Sequence, residues 1–241
     1  MRVIIDRERI QRRATASHVA SLGGLTIILG NVALSLWKPQ PRGLTAFLLF
    51  IGFAVSTIGI YFANRWVKKP RPEEVLDRAL KGLDDRCRLY HYLDKGPDHL
   101  LLTPSGLVPI ETRGGEGVFE YSQGKWRQRI SMGKALRFFV EEPLGNPITD
   151  AQRMAARLAG SLEKLDADGV PIQPIVVFTH PAASLARKGA PIPVCQPKQL
   201  RGELPKNLPQ LPSGIYKQLR EVLDGGRPLL MPGWPQLEAG A

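Results

Sequence analysis

Two uninterrupted apolar runs near the start of the chain constrain it more than anything that follows. Ala14 to Trp37 is 24 residues without a formal charge, and Gly43 to Ala63 is 21 more. A helix rises about 1.5 Å per residue, so either run reaches across a hydrocarbon layer of roughly 30 Å. The sequence therefore predicts two transmembrane helices, about 14–37 and 43–63. The link between them, Lys38-Pro39-Gln40-Pro41-Arg42, forces an antiparallel hairpin that returns the chain to the side it left. A cleaved signal peptide suits neither the length of the first run nor the second run that follows at once.

Charge follows the same division. The chain carries 33 Lys and Arg against 22 Asp and Glu, a formal +11. Residues 1–71 hold eleven of the basic groups and two of the acidic ones, or +9, which leaves only +2 for residues 72–241. A body so close to neutral lacks the uniformly basic footprint of a DNA binder. Five basic groups precede the first run, two lie in the link, and Arg65, Lys68, Lys69 and Arg71 follow the second. The positive-inside rule then predicts a multi-pass protein of the cell (inner) membrane, with both termini and the soluble body in the cytoplasm. Trp37, Tyr61 and Trp66 fall near the span ends. Small residues four apart, Ala16, Ala20 and Gly24 on one run and Gly52 and Ser56 on the other, allow close helix approach and are candidates for helix–helix self-association. His18 and Asn31 are the only strongly polar groups in the spans, which reads as an anchor in the lipid bilayer rather than an ion path. Two distant cysteines, Cys87 and Cys195, exclude a disulfide framework and a Cys-rich zinc module, and reduced thiols suit a cytosolic body.

The expected organisation is a basic N-terminus (1–13), the two spans (14–67), a linker (68–72), a soluble domain (73–225) and a loose Pro-rich tail (226–241). Within the domain, helical spacing of Val75, Leu76, Ala79, Leu80 and Leu83 marks a first helix. Short β-prone runs follow at 88–93, 99–103, 106–112 and 117–121, with 125–130 closing a hairpin through Ser122-Gln123-Gly124. Residues 145–165 read as a helix with Pro147 near its start, Thr149 or Asp150 as its cap, and Ala155, Leu158, Leu162 and Leu165 as its stripe. Strands at 171–178 and 192–195 and a helix at 213–225 complete an α/β or α+β pattern.

The stretch richest in chemistry is "PDHLLLTPSGLVPIETR", residues 97–113. Thr103-Pro104-Ser105-Gly106 fits a four-residue turn with Pro second and Gly fourth. If Thr103 faces Gly106, cross-strand partners keep a constant sum of residue numbers, and Asp98 falls opposite Glu111. Such partners have Cα atoms about 4.5–5.5 Å apart. Arg113 is two residues on and shares the face. Two carboxylates that close repel unless a cation sits between them. A hard divalent ion such as Mg²⁺ satisfies both, and a neighbouring cationic side chain balances charge developing on a phosphate. The same pattern also fits solvated acids at a sheet edge. No GxSxG elbow, P-loop or HExxH occurs. His91, His99 and His180 read as structural or exposed. Trp126, beside Arg127 and Arg129, fits either packing on its hairpin or stacking on a base.

"DHLLLTPSGLVPIETR" resembles the core of the NERD (nuclease-related domain) family. The pattern runs from Asp-His through an apolar strand and a Gly-containing turn to Ile-Glu-Thr-Lys, and the Asp98–Glu111 separation matches it. The resemblance extends upstream to the helix near Glu73 and downstream through Gly145-Asn146-Pro147 to "VVF" at 176–178, covering roughly residues 73–200. It implies a restriction-endonuclease-like PD-(D/E)xK fold, a mixed sheet flanked by helices, here preceded by a membrane hairpin. It implies that Asp98 and Glu111 bind Mg²⁺ (or Mn²⁺). Glu73 stands as the first-helix acid, with Glu74 a rival. An accessory Gln on the following helix corresponds to Asp150 by count and to Gln152 by residue type. Arg113 stands where the family has Lys. Lys can shed a proton when buried, whereas Arg stays charged and presents a planar fork. Two functions are therefore expected. One is a membrane-anchored, Mg²⁺-dependent endonuclease acting on DNA, with Asp98, Glu111, Arg113 and Glu73 catalytic. The other is an inactive pseudo-nuclease serving as a tethered binding or scaffolding module.

Overall fold

A computed structural model describes residues 1–38, 41–67, 70–94, 96–129, 144–167, 169–206 and 208–225. The expected tail at 226–241, Lys68 and Lys69 of the linker, and Ile130 of the predicted hairpin strand lie outside these residues. The described chain divides into two units. Residues 7–71 form a helical pair, and residues 1–6, 72–129 and 144–225 form an α/β unit.

The helical pair consists of α1 (Arg7–Trp37) and α2 (Arg42–Trp66), both long and apolar enough to cross a membrane. Helix α1 begins seven residues before the first apolar run and takes in Arg7, Arg9, Arg12 and Arg13. Large apolar side chains such as Leu22, Leu29, Phe47, Phe50 and Phe53 are exposed. The backbones meet at small residues. A Cβ added to Gly24 would lie 2.4 Å from the Ser56 amide nitrogen, and one on Gly59 would lie 2.3 Å from that of Ser21. Asn31 Nδ2 donates across the pair to the Thr45 carbonyl at 3.1 Å. Gly24, Gly52 and Ser56 therefore serve contact within one chain, while Ala16, grouped with them by spacing, is exposed.

The α/β unit is built on a six-stranded mixed sheet in the order β1-β2-β3-β4-β7-β9. Its strands are β1 (Arg2–Ile5), β2 (Arg88–His91), β3 (His99–Thr103), β4 (Gly106–Arg113), β7 (Ile175–Phe178) and β9 (Val194–Cys195). A second, three-stranded sheet runs β6-β5-β8, from β5 (Gly117–Ser122), β6 (Lys125–Arg129) and β8 (Ala183–Ala186). Period-two alternation sorts side chains between the faces of the large sheet. Leu89, Leu101 and Val108 join Leu76 and Leu80 of α3 (Pro72–Leu80) and Leu200 of α5 (Leu200–Glu203). Tyr90, Leu100, Leu102 and Leu107 join Leu158 and Leu162 of α4 (Pro147–Glu163) and Leu219 and Leu223 of α6 (Ser213–Asp224). Helices thus flank the sheet on both faces, as the mixed α/β expectation requires. A third cluster, with Phe119, Ile148, Val176 and Phe178 buried and Trp126 and Leu144 packed against them, underlies the small sheet. Both cysteines are buried and free.

Three differences from the sequence expectation matter. Residues 2–5, within the basic N-terminus and not anticipated as a strand, pair in parallel with β2, from Arg2↔Arg88 to Ile5↔His91. The α4 cap is Asn146, whose side chain accepts from the Thr149 amide at 3.4 Å, with Pro147 opening the helix. Thr149 and Asp150 lie inside that helix, and Leu165 lies beyond its end. Strand β8 and the helical turns at 197–203 were not anticipated.

Candidate functional site

The β3–β4 turn has the expected register, Thr103↔Gly106, Leu102↔Leu107, Leu101↔Val108 and Leu100↔Pro109. Thr103 Oγ1 accepts from the Ser105 amide at 3.2 Å and fastens the bend. Gly106 has φ +147° and passes so close to the Pro171 carbonyl oxygen that a Cβ would lie 2.4 Å from it, so the position admits only glycine. The ladder ends at Leu100↔Pro109, short of the two acids. Beyond it, β4 pairs along its other edge with β7, Glu111↔Val176 and Arg113↔Phe178 among the rungs. The Asp98 carbonyl instead accepts from the Tyr92 amide at 2.7 Å. Asp98 and Glu111 therefore flank the open end of the hairpin rather than facing one another across a rung.

They still sense each other. Burial raises the Glu111 carboxyl above its ordinary range. The Arg113 guanidinium pulls it back, and the charges of Asp98 and Asp150 add to the rise. Arg113 is the centre of the arrangement. Nε donates to the Leu144 carbonyl at 3.2 Å and Nη1 to the Thr112 carbonyl at 3.1 Å. Nη1 also pairs with Glu111, and Nη2 donates to Asp150 Oδ2 at 2.7 Å. One side chain on β4 thus ties two acids and the start of α4 together. Asp150, reached by counting from Asn146, belongs to the site. Gln152 does not: it is exposed on α4, two residues and about 200° around the helix.

Of the two acids opening α3, Glu73 is buried and accepts from Tyr92 Oη at 2.8 Å, while Glu74 is only partly buried. Tyr92 escaped the sequence reading. It holds φ +59°, a conformation rare for a residue with a bulky side chain, and it links Glu73 through its hydroxyl to Asp98 through its amide. Beside it, His91 and His99 are both buried, with their Nδ1 atoms 2.7 Å apart and His91 Nε2 3.0 Å from Asp77 Oδ1. A carboxylate only accepts, so Nε2 of His91 donates to Asp77. In the neutral ring Nδ1 then accepts from His99 Nδ1–H. These histidines are structural, as expected; the cue to their partner was Asp77, one helical turn after Glu73. His180 accepts from the Ala182 amide.

As placed, these residues do not suit a hard divalent ion. Among the described residues no three or more His, Cys, Asp or Glu side chains converge as metal ligands. The positive charge that two close carboxylates require is supplied to Glu111 and Asp150 by Arg113 itself.

Residues 70–179 match the family model for the nuclease-related domain. Over this stretch the chain is similar to a nuclease-related domain. Neither a curated protein nor a solved structure matches the chain. The matched stretch spans α3 through β7, so Glu73, Asp98, Glu111, Arg113 and Asp150 all fall within it. Strand β1, α6 and the helical pair lie outside it, although β1 completes the edge of the same sheet.

Proposed function

We propose that the protein is a membrane-anchored module of nuclease descent that no longer cuts phosphodiesters and acts as a binding or scaffolding device. The observation that carries this reading is the closure of Arg113 on Glu111 and Asp150. In a restriction-endonuclease-like site, a Lys at this position is a compact charge that can give up its proton and leave the acids open to Mg²⁺. A guanidinium stays charged and spends its fork on both carboxylates. General-base help is lost, and Glu111, one of the two acids expected to hold the metal, is already paired with a fixed cation.

The test uses the full chain in detergent micelles, because a fragment starting at residue 72 lacks β1. With supercoiled plasmid DNA and Mg²⁺ or Mn²⁺, cutting should not exceed that of Asp98→Ala and Glu111→Ala preparations. Cutting by the natural protein that vanishes in both variants would overturn the reading and make the protein a metal-dependent endonuclease.

Anchoring belongs to the same proposal. Strand β1 precedes α1 and pairs with β2, which follows α2. One sheet cannot straddle a bilayer, so this pairing supports two crossings that bring the chain back to its starting side. The basic flanks favour the cytoplasm for that side. A cysteine placed at Gln40 should then react with a membrane-impermeant maleimide in intact cells, and one at Lys217 only after lysis. The reverse pattern would refute the orientation.

A further inference from the structure

Strand β6 alternates sharply. Trp126 turns inward, with its ring 5.3 Å from Tyr121 and 5.5 Å from Phe178. Gln128 turns the same way and donates to the Glu116 carbonyl at 3.0 Å. Lys125, Arg127 and Arg129 all point to solvent. Residues two apart on a strand are separated by roughly 6.6–6.8 Å, so the three cations form an evenly spaced row. Across the ladder, Ser122, Glu120 and Val118 of β5 face them, and Ser184 and Ala186 of β8 continue the surface. Glu120 is the only acid among those residues, 3.3 Å from Arg129. Three cations against one acid leave +2, as large as the surplus of all of residues 72–241. The row therefore carries a local surplus of positive charge on an otherwise nearly neutral body.

We infer that this row is a contact track for the phosphodiester backbone of nucleic acid. A line of charge flanked by Ser, Val and Ala fits a linear polyanion better than a planar lipid surface, which would favour cations spread over all three strands. Two of the three cations are Arg, whose fork takes phosphate oxygens in pairs. Trp126 is committed to the core, so among the described residues of β5, β6 and β8 no exposed aromatic platform for base stacking accompanies the row, and recognition is independent of sequence. The inner face of the same sheet packs on Phe178, the register partner of Arg113, which sets the track on the flank of the acid site. The inference rests on the binding-module reading only for the purpose that binding serves. Cleavage is read at Asp98 and Glu111 and binding at β6, so the two fail separately.

The experiment measures anisotropy of a labelled mixed-sequence DNA duplex with the full chain in zwitterionic nanodiscs, over a salt titration. Each phosphate contact adds about 0.9 to the slope of log K against log salt. The combined Lys125→Gln, Arg127→Gln, Arg129→Gln variant should therefore lose about 2–3 from that slope. A control with Lys81→Gln, Lys164→Gln and Lys217→Gln, equal in charge and exposed elsewhere, should keep it. Glu120→Gln should tighten binding, a gain that no folding defect imitates. Absence of DNA binding by the natural protein, or equal slopes for the β6 variant and the control, overturns the inference. So does a β6 variant that keeps DNA but loses phosphatidylglycerol vesicles, since that assigns the row to the membrane.

Discussion

Replacing Arg113 with Ala removes the guanidinium that Glu111 and Asp150 share, and the geometry sets both the size and the pH dependence of the loss. The Glu111 side chain is 22% exposed, so its pair counts largely as a buried one, near the lower end of the 3–5 kcal/mol that losing one partner costs. Asp150 is 37% exposed, and its pair is screened to about 0–1 kcal/mol. A loss of about 3 kcal/mol is expected, or roughly 6–12 °C in melting temperature for a unit of this size. Burial already raises the Glu111 carboxyl, and without Arg113 it rises further. A carboxyl raised in the folded state holds its proton where the unfolded chain has released it. Folding is then penalised increasingly as pH rises from the unfolded value, ordinarily 4.5, through the folded one. The deficit of the variant should be widest near neutrality and narrow as pH falls towards that value. Urea unfolding of the full chain in micelles, followed by far-ultraviolet circular dichroism at both ends of this range, measures it. A deficit of the same size throughout, or none, would refute the assignment of Arg113 as the site's counter-ion.

Four further outcomes follow from the same geometry. Gly106→Ala places a Cβ against the Pro171 carbonyl at φ +147° and should cost about 2 kcal/mol or more in urea unfolding. Deleting residues 2–6 strips β1 from β2 and should turn a monodisperse preparation into aggregates on size exclusion, because a buried strand becomes an unpaired edge. Asn146→Ala should destabilise by about 0.5–1 kcal/mol, the low end for a cap because its bond to Thr149 is long. Gly59→Leu cannot fit where Ser21 passes, so cysteines placed at Asn31 and Thr45 should crosslink efficiently in the natural background and poorly in this variant.

Legibility in the sequence tracked how local the deciding forces were. The β3–β4 register was readable because a turn of Thr, Pro, Ser and Gly pins it and alternation of Leu and Val confirms the phase. The helical pair was readable because length and apolarity suffice. Strand β1 was hidden: four residues among arginines become a strand only when β2, beyond the whole helical pair, offers an edge. Strand β8, Ala-Ser-Leu-Ala, has little β-propensity of its own and owes its shape to β5. At the site, spacing placed Glu111 and Arg113 correctly but suggested acids facing across a rung. The ladder with β4 ends at Leu100↔Pro109 while the Asp98 carbonyl takes the Tyr92 amide on the β2 side, and no periodicity announces a tyrosine at positive φ.

The Arg at position 113 is the point at which local and distant structure meet. A Lys there, with three donors on one nitrogen, could satisfy Glu111 or Asp150 and leave the other acid open. Arg reaches both and also the Leu144 carbonyl, joining β4 to the segment that opens α4. The substitution therefore changes the topology of the polar contacts and not only the acidity of one group. Arg113→Lys should keep the charge while losing part of the fork, for a stability loss of about 1–2 kcal/mol, smaller than that of Arg113→Ala. If closure is what silences the site, this variant should also gain plasmid cleavage with Mg²⁺ that Glu111→Ala then abolishes. A variant that is destabilised yet silent would leave closure as a matter of stability and place the loss of turnover elsewhere among the site's residues.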